Sequence, residues 1–193
     1  MLDGKTVGES FIGYGPQSFQ IPLDHTGPCT LDILVHNLGR TSSPFNQGTS
    51  RKGLNENPTL NGTALTGWTI FSLPLDDPKI ELDQSLKTPQ TSPMFYTGNF
   101  TLDNVGETYL DMRNWHFGVV WVNGHNLGRY WDVGASRSLY LPSVWQKAGT
   151  NQITILELRQ PPTNPEIKGM TTMMEEPAQK FTPMVYPTTA AQP

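Results

Sequence analysis

An all-β fold, built as β-sandwiches of jelly-roll type, is what this sequence predicts, and three observations predict it. Glycine and proline supply 18 and 17 of the 193 residues, a density of turn-formers that suits short strands better than helices. Runs rich in β-branched and aromatic residues recur every 8–12 residues or so, with turn residues between them. The stretch Gly118–Trp131, GVVWVNGHNLGRYW, reads as one complete hairpin. Val119, Val120, Trp121 and Val122 suit a pleated, buried surface. Asn123-Gly124 is a favoured pair for a tight type I′ turn, because both residues tolerate positive φ.

The elements follow in order. Leu31–Leu38 (LDILVHNL) alternates Leu31, Ile33 and Val35 with Asp32, Leu34 and His36, and Gly39-Arg40 ends it. Residues 41–62 are rich in Asn, Gly and Ser and read as a long loop. Leu65–Leu75 (LTGWTIFSLPL) resumes β character around Trp68, Ile70 and Phe71. Met94–Leu102 and Glu107–Met112 read as strands separated by the Asp103–Gly106 turn. After the central hairpin come Ser138–Leu141, a short helical turn within Pro142–Lys147, and Ile153–Leu158, which is apolar on both faces as in a sandwich interior. The division expected is a first sandwich over residues 1–86, a linker over 87–93, a second over 94–160, and a tail over 161–193. That tail holds seven prolines, with one edge strand at Lys180–Tyr186.

Composition narrows the function. A net charge of −4 gives no electrostatic reason to expect nucleic acid. No stretch approaches the ~18 apolar residues of a membrane span. The N-terminal MLDGKTVGES lacks the apolar core of a signal peptide, and the compartment stays open. Cys29, the single cysteine, excludes an internal disulfide and reads as a buried structural thiol. His25, His36, His116 and His125 lack ligand spacing, so neither a metal nor a cofactor is expected. Asn61-Gly62-Thr63 and Asn99-Phe100-Thr101 are glycosylation sequons, of which Asn61, outside the strands, is the better candidate.

The segments LDILVHNLGR, LTGWTIFSLPL, MFYTGNFTL and above all WVNGHNLGRYW, in this order, resemble the β-galactosidases of glycoside hydrolase family 35. The similarity runs over roughly Gly4–Leu158. It implies the galactose-binding-like sandwich part of such an enzyme, with the first sandwich only partial. It also implies that the reaction, hydrolysis of terminal β-galactosides, belongs to a barrel whose two catalytic glutamates have no counterpart here. A catalytic barrel or another subunit is then the implied partner. His36 replaces the acidic residue usual after LDILV, and Phe117 a common lysine before GVVWVNG.

Two readings of the chemistry-bearing residues stay open. In one, aromatic faces stack on a pyranose ring while Arg or Asn reaches its hydroxyls, employing Trp115, Asn123, Arg129, Tyr130 and Trp131 as a galactoside site. In the other these groups hold the sandwich together: Trp68 and Trp121 lie in apolar runs and read as core, and turn geometry alone explains Asn123. Trp115, flanked by Arg113, Asn114 and His116, is expected to be exposed. Hydrolysis needs two carboxyl groups at defined separation. Asp103, Glu107, Asp111, Asp132 and Glu157 sit at turns or on strands, where single carboxylates are ordinary. No catalytic residue is assigned.

Overall fold

Strand-forming runs become strands in this protein only where a partner strand lies alongside, and that happens mostly in its second half. The computed structural model describes residues 1–10, 18–21, 26–37, 39, 48, 52–76, 78, 93–133, 137–159 and the backbone of 168–170. These residues form two units, one over Met1–Leu75 and one from Pro93 onward. Among the described residues regular structure is almost all β and antiparallel, with a single 3-10 turn.

In the first unit, Leu2 bridges both Lys5 and Leu31, and Asp3 is tied to Thr30 in both directions. Strands β1 (Thr59–Leu60) and β2 (Thr63–Ala64) form a minimal hairpin around Asn61-Gly62. Here the sequence expectation fails. Leu31 makes one isolated bridge, residues 32–37 are not strand, and 65–75 are irregular. Ile33, Leu34 and Val35 are 39–47% exposed, Ile70 90% and Phe71 78%. Trp68, expected in the core, is 40% exposed, its indole N–H donating to Leu65 O at 3.1 Å. Apolar alternation without a neighbouring ladder leaves such residues unburied. Cys29 is also exposed rather than buried.

The second unit holds the larger structure. Its strands are β3 (Met94–Leu102), β4 (Thr108–Asp111), β5 (Phe117–Val122), β6 (His125–Trp131), β7 (Ser138–Leu141), β8 (Gly149–Glu157) and β9 (Lys168–Met170), with a 3-10 turn at Ser143–Trp145. They form a four-stranded sheet, β3-β8-β5-β6, and a three-stranded sheet, β7-β4-β9. The nine residues of β3 pair in unbroken register with β8, from Met94↔Glu157 to Leu102↔Gly149. The β5–β6 register shifts at Val120/Trp121, a bulge accommodated by Gly128 at φ +110°.

One core joins the sheets. Val120, Val122, Tyr130 and Ile155 from the larger sheet pack with Leu110 and Leu141 from the smaller, together with Met112 and Trp115. Every residue of β5 is buried, those on its opposite face included: Phe117, Val119 and Trp121 are 1–5% exposed. Gly118 is obligatory, since a Cβ there would lie 1.7 Å from Leu156 O and 2.6 Å from the Tyr130 hydroxyl.

Candidate functional site

The turn asparagine of the β5–β6 hairpin bonds to neighbouring elements of the same unit. Asn123 (φ 51°) and Gly124 (φ 82°) form the turn. The Asn123 amide donates to Trp145 O and to Asn151 Oδ1, both at 2.8 Å, while its oxygen accepts from Gln152 N at 3.0 Å. Asn151, wholly buried, returns donors to Lys147 O and Gly149 O. Asn123 is therefore a clasp between the hairpin tip, the 3-10 turn and β8.

Tyr130 is fully buried, its hydroxyl donating to Leu156 O at 2.9 Å and lying 3.3 Å from Glu157 Oε2. Burial first, then the Glu157 charge, push this phenol far above its ordinary pKa. Trp115, expected at the surface, is 1% exposed. The chain turns at Met112–Trp115, with Trp115 N donating to Met112 O, and the ring enters the core edge-on to Tyr96 (5.1 Å) and Tyr130 (6.3 Å). Strand alternation puts Arg129 and Trp131, both half-buried, on the opposite face, where Trp131 meets Phe117 at 6.0 Å. The five candidate residues thus do not converge on one surface: Trp115 and Tyr130 meet in the core, and the others lie elsewhere. Trp121 is 1% exposed.

Glu157, which sequence reasoning treated as an ordinary strand carboxylate, organises the opposite end. It is wholly buried and accepts from the backbone amides of His116 (2.9 Å), Phe117 (3.1 Å) and Arg159 (3.0 Å). An acid closing the apolar run ITILEL is the signal that could have marked it. Nearby, His116 and Asp132 pair at 3.0 Å, and Asp132 lies 3.7 Å from Arg159.

A groove of about 680 Å³ opens between the sheets beside β3. Tyr96, Phe100, Leu110, Trp115, Ile153 and Ile155 form its apolar wall, and Asn99, Asn104, Glu107 and Gln146 its polar groups. Its size falls within the range of small-ligand sites. The Tyr96 hydroxyl is buried without a hydrogen-bond partner among the described residues, and desolvation raises its pKa. Glu107 accepts from Ser143 Oγ at 2.6 Å and from the Tyr140 hydroxyl, and these bonds hold its carboxyl below the usual range. Among the described lining residues it is the one carboxylate, whereas a glycosidase site needs two. Among the described residues no cluster of three His, Cys, Asp or Glu could hold a metal, and no helix is long and apolar enough to cross a membrane.

Residues 1–74 match the family model described as β-galactosidase, first all-beta domain, and residues 93–151 match that described as β-galactosidase, galactose-binding domain. The chain belongs to the β-galactosidase family. Beta-galactosidase-1-like protein 3 of Rattus norvegicus is 41% identical over 168 residues, covering 81% of this chain and 25% of that protein. Beta-galactosidase-1-like protein 2 of Homo sapiens is 36% identical over 159 residues, covering 79% and 25%. The β-galactosidase of Xanthomonas manihotis is 39% identical over 140 residues, covering 72% and 23%. This member of the family spans about a quarter of the length of the curated relatives it matches, as two all-β accessory regions.

Proposed function

We propose that this β-galactosidase-family chain is a non-catalytic scaffold for a catalytic barrel, and that hydrolysis of terminal β-galactosides takes place in that barrel. The observation that carries this reading is the apolar surface of the first unit, where Ile70, Phe71 and Leu73 are 64–90% exposed within the region matched to the first all-beta domain. Exposed apolar runs of this kind mark contacts with a partner. The chain is assayed with a chromogenic β-galactoside, alone and mixed with the separately produced remainder of a relative. Stable association, with turnover only in the mixture, is expected. Turnover by the rigorously purified chain alone overturns the assignment.

The groove favours a second reading, a galactoside-binding module in which Asn99 and Asn104 address sugar hydroxyls. Titration with galactose or lactose, read by tryptophan fluorescence, tests it. A saturable change abolished in Asn104→Ala supports the module; its absence at high sugar concentration removes it.

A further inference from the structure

Two Asn-Gly turns in this protein share a dipeptide and a backbone conformation but differ in what holds them. Asn61 and Gly62 have φ of 49° and +80°; Asn123 and Gly124 have 51° and +82°. Asn123 is clasped by three side-chain hydrogen bonds, and its flanking strands lie in the core sheet. Asn61 sits on a hairpin of two residue pairs, all four residues exposed, and no hydrogen bond among the described residues engages its side chain.

We propose that Asn61-Gly62 is a site of spontaneous succinimide formation and deamidation, and that the folded protein protects Asn123-Gly124 from the same reaction. The Gly62 backbone nitrogen attacks Asn61 Cγ, forming the ring N–C bond. The Cγ–Nδ2 bond breaks, and Nδ2 departs as ammonia with the proton lost by the glycine nitrogen. Water then opens the ring at either carbonyl, leaving Asp or isoAsp at position 61. Glycine imposes no side chain on the attacking nitrogen. The turn must open for that nitrogen to reach Cγ, so the rate tracks the population of the open state. An isolated two-pair ladder opens at little cost. One net hydrogen bond suppresses an open state about fivefold, so three hold the Asn123 turn down by roughly 100-fold.

The consequence extends to the sequon. The nitrogen expelled is the one a glycan would occupy in Asn61-Gly62-Thr63, so deamidation and glycosylation exclude one another.

The test incubates the unglycosylated full chain in mildly alkaline buffer and follows peptides carrying residues 61 and 123 by mass spectrometry, resolving Asp from isoAsp. A parallel sample in denaturing urea reads the intrinsic reactivity of both dipeptides. Expected are comparable rates in urea, and in the native sample conversion at 61 outpacing that at 123 by roughly 100-fold. Equal native rates, or a native residue 61 that stays intact while its urea counterpart converts, overturn the proposal. In the urea sample, where the strain of a side chain at the +80° φ of residue 62 plays no part, the variant Gly62→Ala is expected to slow conversion at 61; an unchanged rate there also counts against the mechanism.

Discussion

Removing the Glu157 carboxylate tests the architecture most directly. Its two oxygens divide the work: Oε1 accepts from Phe117 N and Arg159 N, and Oε2 from His116 N. Glu157→Ala strands all three amides. The bond to Phe117 N is buried and costs the full ~1–3 kcal/mol of an unmet donor. The other two are part-buried and recover some solvation. With the side-chain packing lost as well, about 3–5 kcal/mol is expected, from a total near 5–15 for an ordinary domain. Glu157→Gln is the sharper probe. Whichever way its amide is oriented, an NH₂ group faces a backbone N–H, so roughly 1–3 kcal/mol is lost although the volume is unchanged. Urea titration followed by the fluorescence of buried Trp115 and Trp121 measures both losses, and the slope checks that the denatured state is unaltered. A Gln variant within ~0.5 kcal/mol of the wild type would refute the reasoning, because it would mean the amides find other acceptors.

Other outcomes follow from the same geometry. Gly118→Ala forces a methyl against Leu156 O, and a loss above ~4 kcal/mol is expected; a cooperative melt near the wild-type temperature contradicts it. Tyr130 keeps its proton when folded and gives it up above pH ~10 when unfolded. Its contribution is therefore complete below that pH and falls above it by up to about 1.4 kcal/mol per unit, a slope Tyr130→Phe should flatten in alkaline denaturation curves. Light scattering of the chain should show concentration-dependent association that Ile70→Ser with Phe71→Ser reduces, whereas a clean monomer at high concentration argues otherwise.

What could be read from the sequence was what local residues decide. Asn123-Gly124 announced its turn because few other residues adopt positive φ cheaply, and the turn lies between β5 and β6. Met94–Leu102 and Ser138–Leu141 are strands over the expected residues, and the helical turn falls at Ser143–Trp145. The failures involve partners distant in sequence. Leu31–Val35 and Leu65–Leu75 have strand composition but no ladder among the described residues. Trp115 was misjudged because its chain neighbours are polar, whereas the turn from Met112 swings the ring onto Tyr96 and Tyr130. Glu157 and Asn151 were missed for a related reason: only the assembled sheets show which backbone amides and carbonyls need them. The groove is likewise a property of two packed layers, invisible in any one strand. Residues 87–92 of the expected linker and the tail strand at Lys180–Tyr186 lie outside the described residues.

The pairing of β3 with β8 bears on how a nascent chain can fold. The opening strand of the larger sheet finds its neighbour only in the strand that closes it, and β5 also needs β8 on one side. Within this sheet, only the β5–β6 hairpin can zip locally. Assembly must therefore wait until the ribosome has delivered the chain through Glu157, and it then pays a long loop closure before most contacts form. A premature stop anywhere in Gly149–Glu157 would leave β3 short of its partner and β5 bare along one edge, so this is the stretch of the message that the larger unit can least do without.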